Sequence, residues 1–329
     1  MQAQLIALDW GTTSLRAYKL AAGAVVLEQR ALSSGIMQLP KTPRVINGGE
    51  CADGFELAFE DACGDWLDVQ PDLPVIACGM VGSAQGWREA AYCETPANVA
   101  HLGNSLQTLV SLRGKRVHIV PGVIQRSRLP NVMRGEETQV LGVLQNLPAG
   151  AGDDLLIGLP GSHSKWVEVV DGCITHFDTF MTGEVFAVLS EHSILGRTQQ
   201  QGAAFDGQAF DRGVQVALSA DGELGVLSTL FSARTLGLTN ELAPTAQADY
   251  LSGLMIGHEL AALATVQRRR RNNTNLPSII LIGNAQLCAR YSRALDACGF
   301  DPVTLAEQAT ERGLWQLALA AGLIDSSSR

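Results

Sequence analysis

The sequence predicts a two-domain α/β protein in which each domain is built on a β-meander followed by helices. Three observations predict it. The chain has 329 residues, 46% of them apolar and 17% charged, which is more than one ordinary core holds and enough apolar side chain to fill two. A pattern of strand, polar turn, strand, strand and helix occurs near residue 5 and again near residue 155. Between the copies, Asn146-Leu147-Pro148-Ala149-Gly150-Ala151-Gly152-Asp153-Asp154 is a polar, Gly- and Pro-bearing link, the composition of a domain boundary. The expected domains are 1–147 and 148–329, with a last helix at 313–323 that could return to the first.

Each element follows from its residues. Residues 5–8 and 16–20 are β-rich runs flanking Gly11-Thr12-Thr13-Ser14, and 24–30 follow Ala22-Gly23, which makes a meander with polar turns. Residues 55–67 carry apolar positions at helical spacing. The runs 75–77 and 117–120, bounded by Pro and Gly, read as buried strands, and 136–147 reads as a helix. The second copy comprises strands at 155–159, 166–170 and 174–179, turning at Pro160-Gly161-Ser162-His163-Ser164 and at Asp171-Gly172. A helix follows, with Thr182 as N-cap and Glu184 in the first turn. Helical segments dominate 205–268; then come a buried strand at 278–282, a turn at Gly283-Asn284-Ala285 and a helix at 287–298.

Charge and composition exclude several function classes. The net charge is −9, from 24 basic and 33 acidic residues, so neither an extended nucleic-acid groove nor an anionic membrane surface is expected as partner. Arg268-Arg269-Arg270-Arg271-Asn272-Asn273 reads as a solvated helix end whose charge complements the helix dipole. No apolar run reaches the ~18 residues of a membrane helix, and the N-terminus reads as a strand rather than a signal peptide. Seven scattered cysteines without a Cys-x-x-Cys pair read as reduced thiols of a cytoplasmic protein. A homodimer stays open, because a core helix and a dimer face look alike in the sequence.

The chemistry begins at Asp9-Trp10-Gly11-Thr12-Thr13-Ser14, after the first strand. Gly11 permits a tight turn with N–H groups turned toward an anion, Thr12, Thr13 and Ser14 add hydroxyls, and Asp9 can hold Mg2+ through water. Phosphoryl transfer needs those parts; an ordinary hairpin turn uses the same residues.

Asp9–Thr13 is similar to the first phosphate loop of the sugar kinase, hexokinase, actin and heat-shock ATPase superfamily. Together with the stretches at 8–20, 78–87, 133–139, 159–166, 179–184 and 251–259, in order across nearly the whole chain, it resembles the 2-dehydro-3-deoxygalactonokinase family. The resemblance implies a two-domain ribonuclease H-like fold of actin/hexokinase type, with ATP in an interdomain cleft. It also implies ATP- and Mg2+-dependent phosphorylation of a small sugar acid, 2-dehydro-3-deoxy-D-galactonate, at its terminal hydroxyl.

Within that frame, Gly161, Ser162, His163 and Ser164 form a second phosphate loop, and Lys165 neutralises charge that develops in transfer. This loop carries Leu159 where the superfamily carries an aspartate. Glu137 is the expected general base, with Glu136 its rival and Asp9 a third candidate. Arg134 or Arg16 could pair the substrate carboxylate. Ser83, Gln85 and Trp87 supply a hydroxyl, an amide and an aromatic platform, and Thr182 opens a helix whose N–H groups suit an anion. Gly283, Asn284 and Ala285 are expected at adenosine, with Asn284 where the superfamily has a second glycine; Arg290 could stack on adenine or contact solvent, with solvent the preferred reading, and 253–259 reads as packed core. Two rivals accompany the kinase: a phosphoanhydride hydrolase, favoured by Arg134-Gly135-Glu136-Glu137, and a non-catalytic actin-like nucleotide-binding regulator.

Overall fold

The structure, a computed structural model, describes residues 1–145, 147, 155–200, 202, 204–271, 276–300 and 303–325. Most of the expected link at 146–154, together with Asn272, Asn273 and the tail at 326–329, lies outside the described residues. The chain forms two compact units. Unit 1 comprises Met1–Asp153, Val169–Phe177 and Glu307–Arg329; unit 2 comprises Asp154–Glu168 and Asp178–Ala306.

Unit 1 opens with the expected meander. Strands β1 (Ala3–Trp10), β2 (Leu15–Ala21) and β3 (Val25–Leu32) pair antiparallel. Helix α1 (Gly54–Val69) is capped by Asp53, whose Oδ1 accepts from the N–H of Phe55 at 2.8 Å. It leads to β4 (Val75–Gly79), parallel to β1. Strands β5 (Gln107–Val110) and β6 (Arg116–Ile119) complete the sheet in the order β3-β2-β1-β4-β6-β5. The sequence did not announce β5, an edge strand with no buried residue and hence no core-facing signal. Trp10, Phe59, Trp66, Leu8 and Ile6 fill the core under α1, and each such side chain contributes about 1.5–3 kcal/mol by leaving water. Helix α2 (Glu136–Leu144) ends the described N-terminal portion of this unit.

Unit 2 repeats the plan. Strands β7 (Leu155–Leu159), β8 (Ser164–Val170) and β9 (Cys173–Phe180) precede helices α3 (Thr182–His192), α4 (Gly207–Leu218) and α5 (Gln247–Arg270). Strand β10 (Ser278–Leu281) lies parallel to β7, and β11 (Val303–Leu305) parallel to β10, with α6 (Ala285–Ala297) between them in the chain. The order β9-β8-β7-β10-β11 reproduces the first five positions of the other sheet. A meander followed by two parallel crossover strands, present twice, is the duplicated ribonuclease H-like fold. Helix α7 (Ala309–Ala320) belongs to unit 1, where Gln139 Nε2 donates to Thr310 Oγ1 at 3.1 Å.

Three local readings change. Ser164 and Lys165 lie inside β8 rather than in the turn. The N-cap position of α3 is Met181, without a side-chain cap, and Thr182 is the first helical residue. The arginine run is partly engaged: Arg270 pairs with Glu168 and, at 3.3 Å, with Asp178, because β8 and β9 bring two acids to the end of α5. No helix among the described residues is long and apolar enough to cross a membrane.

Candidate active site

In unit 1, the site grows from the carboxyl ends of β1 and β4, which pair Asp9 with Cys78 and Trp10 with Gly79. Gly79 has φ +92°, and a Cβ there would come within 2.8 Å of the Trp10 carbonyl oxygen, so only glycine lets the two strand ends close. The Asp9 side chain is 19% exposed, and Arg16 Nη1 lies 3.4 Å from its Oδ2. Burial pushes the Asp9 carboxyl up, and the Arg16 charge offsets part of that rise.

The first loop is held from behind. Gly11 N–H donates to the Ser14 carbonyl at 2.9 Å, while Ile36 and Met37 N–H donate to the carbonyls of Gly11 and Thr12 at 3.1 and 3.0 Å. Trp10 Nε1 donates to the Ser34 carbonyl at 2.8 Å. With these carbonyls occupied, the side chains of Thr12 and Thr13 face outward, exposed, and Ser14 is half-buried beside them.

Glu137 is completely buried in the first turn of α2. Its Oε2 accepts from the Gly135 N–H at 2.7 Å and its Oε1 from the Thr138 hydroxyl at 3.0 Å. Burial, with the neighbouring Glu136 charge, pushes this carboxyl up to about 7 despite those bonds. Asp9, paired with Cys78 across the two strands, and Glu137 both raise the Cys78 thiol, itself elevated chiefly by burial. Glu136 is half-buried, and its Oε2 accepts from the Arg134 N–H at 3.0 Å.

Arg134 stacks 4.4 Å from the Tyr92 ring and donates from Nη2 to the Ala90 carbonyl at 2.8 Å. Its Nε and Nη1, although buried, have no hydrogen-bond partner among the described residues, and neither does the buried Ser83 hydroxyl. A Cβ at Gly82 would meet Arg134 Nη1 at 2.9 Å, so the guanidinium lies against the residue preceding Ser83. Gln85 is exposed. Trp87 is packed into an aromatic cluster, stacked on Phe55 at 6.2 Å and edge-on to Trp10 at 5.7 Å.

In unit 2, the loop after β7 rests on the first turn of α3. Glu184 N–H donates to the Ser162 carbonyl at 3.0 Å, and His163 Nε2 pairs with Glu184. A Cβ at Gly183 would come within 2.3 Å of the Gly161 carbonyl oxygen. Gly183→Ala is therefore expected to lift the loop off α3, costing about 1–3 kcal/mol of stability and raising the KM for ATP; thermal unfolding and steady-state kinetics check both. Ser162 and His163 are exposed, whereas Ser164 and Lys165 are buried. Ser164 Oγ meets Tyr291 Oη at 2.8 Å, and Lys165 Nζ donates to Thr179 Oγ1 at 2.8 Å.

Gly283, Asn284 and Ala285 are exposed at the start of α6. Asn284 Oδ1 accepts from the N–H groups of Gln286 and Leu287 at 3.0 and 3.2 Å. This N-cap role gives a physical reason for asparagine rather than a second glycine. A cavity of about 250 Å3 in unit 2 is lined by Gly161, Phe186, Asp249, Leu287, Arg290 and Tyr291 among others, and Gly283, Asn284 and Ala285 are not part of its lining. Arg290 is not solvent-facing: Nη2 pairs with Asp249 Oδ1 at 2.8 Å, and the guanidinium sits 4.5 Å from the Phe205 ring.

Sequence reasoning missed Asp249, Glu259 and Tyr291, and preferred solvent for Arg290. A signal existed, since Glu259 interrupts an otherwise apolar helical face, and a buried acid needs partners. Among the described residues no group of three or more His, Cys, Asp or Glu could cage a metal ion. Asp9 still suits Mg2+, which keeps several waters and takes one or two carboxylates plus phosphate oxygens.

Known proteins share this chain's length and fold. A crystal structure from Sinorhizobium meliloti, assigned as a 2-dehydro-3-deoxygalactonokinase, superposes with a TM-score of 0.78 at 30% identity, over 96% of this chain and 98% of its own. The 2-dehydro-3-deoxygalactonokinase of Escherichia coli (strain K12) is 32% identical over 325 residues, covering 97% of this chain and 99% of that one. A Rhizobium meliloti (strain 1021) chain assigned the same activity is 34% identical over 319 residues, covering 95% and 96%. With the family model described as 2-keto-3-deoxy-galactonokinase matching residues 9–317, the chain belongs to the 2-keto-3-deoxy-galactonokinase family.

Proposed function

We propose that the chain transfers the γ-phosphoryl group of ATP to the terminal 6-hydroxyl of 2-dehydro-3-deoxy-D-galactonate, giving the 6-phosphate and ADP. The observation that carries the reading is a pair of carboxylates in unit 1 that both act on the Cys78 thiol, one partly exposed beside a loop of hydroxyls and one buried with its carboxyl pushed up to about 7. Two carboxylates in such different environments suit two tasks.

Asp9 would hold Mg2+ through water, and the ion would neutralise phosphate charge. Glu137 is the group we assign as base, because a carboxylate titrating near 7 matches the pH at which it must take a proton from an alcohol. Gly11, Thr12, Thr13 and Ser14 form one set of donors suited to phosphate oxygens. Gly161, Ser162 and His163 form another, with Lys165 at the base of their loop. The unit 2 cavity suits adenosine, with Arg290 and Phe186 in its walls. Arg134, with Ser83, suits the substrate carboxylate. Domain roles follow: 1–147 for the sugar acid, and 148–306 for the nucleotide. A cytoplasmic setting accords with all seven cysteines being free.

The test is ATP consumption in a coupled assay with the galactonate substrate, its gluconate epimer, glycerol or no acceptor. The expected result is turnover with the galactonate form well above all others. Equal ATP loss in every tube would overturn the kinase reading and favour phosphoanhydride hydrolysis.

A further inference from the structure

Glu259 lies in the middle of α5 at 3% exposure, among Ile256, Leu260 and Leu263 of the unit 2 core. Trp166 Nε1 donates to its Oε1 at 2.7 Å, and the Tyr291 hydroxyl donates to its Oε2 at 2.8 Å. Tyr291 has a single hydroxyl proton, and Glu259 takes it. In the 2.8 Å contact between Ser164 Oγ and Tyr291 Oη, Ser164 is therefore the donor. The three groups form a directed relay from Ser164 through Tyr291 to Glu259.

Two members of that relay, Ser164 and Tyr291, adjoin the loop and the cavity read as the nucleotide site. Ser164 directly follows the exposed loop residues Ser162 and His163. Tyr291 and Thr182 line the 250 Å3 cavity. The Thr182 hydroxyl sits beside both Glu259 and Tyr291, and the next residue, Gly183, is the one on which the loop rests. Burial pushes the Glu259 carboxyl up, while Thr182, Trp166 and Tyr291 oppose the rise. An apolar residue would fill this core position without that desolvation cost, so the carboxylate needs a reason beyond packing.

We propose that Glu259 is a positioning residue for nucleotide binding: it fixes the hydroxyl directions of Tyr291 and Ser164, and through them the second phosphate loop and the cavity wall. This rests on the reading of that loop and cavity as the nucleotide site. Glu259 itself touches no nucleotide.

The experiment uses the full chain with three variants, Glu259→Gln, Glu259→Asp and Tyr291→Phe. Calorimetric titration of ADP without sugar acid is combined with steady-state kinetics and with tryptophan fluorescence, to which Trp166 contributes beside four other tryptophans. In Glu259→Gln the side-chain amide presents N–H to Tyr291, so the relay must reverse. Loss of the buried bond pattern is expected to weaken ADP binding and raise the KM for ATP about tenfold. The KM for the sugar acid should stay within about twofold, its loop being in the other unit. Tyr291→Phe should behave alike, and adding Ser164→Ala to it should cost little more, because the relay is already cut. Glu259→Asp, which keeps the charge, should recover part of the affinity. If wild type binds ADP and the Gln and Phe variants bind it equally well, Glu259 is a core residue only and the proposal fails alone. If folded wild type binds no ADP, the nucleotide-site reading fails and takes the proposal with it. Should Glu259→Gln not fold, Tyr291→Phe decides.

Discussion

Glu137→Gln is expected to abolish most phosphoryl transfer and yet to stabilise the protein above pH 7. The catalytic part follows from the loss of a base, which costs about 10²–10⁴ in kcat. In wild type the anion is the competent form. With the carboxyl near 7, kcat should fall about tenfold per pH unit below that point and level off above it. The stability part follows from linkage. A carboxyl raised from 4.5 to about 7 by folding leaves the fold unpenalised below 4.5, where both states are protonated. As pH rises from 4.5 to 7 the unfolded chain ionises freely while the buried group resists, and about 3 kcal/mol of stability is lost by the time the folded group ionises. The amide cannot ionise, so its advantage should grow from pH 4.5 to 7 and then stay constant, reduced by whatever the Gly135 N–H loses in facing an amide. Chemical unfolding at pH 5 and pH 8, beside a pH–rate profile, checks both halves. Glu136→Gln is the control: a larger kcat loss there than in Glu137→Gln would transfer the role of base to Glu136.

Much of the fold was legible because its signals are local. The meanders, the glycine-bearing turns and the buried runs at 75–77 and 155–159 each carry their period or their punctuation within a few residues. Strand β5 was silent because an edge strand with exposed alternate positions buries nothing. The first loop was legible for a similar reason: its hydroxyls are consecutive and its carboxylate precedes them directly. The second was only half legible. Ser164 and Lys165 share the composition of the turn, and only strand pairing turns them inward, toward Tyr291 and Thr179. Trp87 read equally as platform or core, and the structure packs it with Phe55, Phe59 and Trp10. The walls of the unit 2 cavity come from residues 161 to 291; their convergence is a property of helix packing that no short stretch of sequence encodes.

Arg134→Met is expected to remove the preference for an acidic acceptor. The guanidinium is held by Tyr92 and the Ala90 carbonyl, but Nε and Nη1 are left without partners among the described residues. Buried donors in that condition cost about 1–3 kcal/mol each, and more when charged, so a structural role alone gives a poor account of them. Nε and Nη1 lie on different edges of the planar guanidinium, so they offer an acidic acceptor two separate charge-assisted donors, and the unpartnered Ser83 hydroxyl adds a third donor nearby. Removing one member of such a charged pair costs about 2–5 kcal/mol. The kcat/KM for the sugar acid should therefore fall about 10²–10³-fold or more, with the KM for ATP unchanged. Arg134→Lys should recover little, because an ammonium keeps the charge without the fork. The unfolding temperature should move little, since the lost Ala90 bond is offset by the removal of two orphaned donors. A decisive comparison sets the sugar acid against its neutral carboxamide: wild type should strongly prefer the acid, and Arg134→Met should treat the two alike. If the variant retains the wild-type preference, the carboxylate is read elsewhere, and Arg16, exposed beside Asp9, becomes the residue to test next.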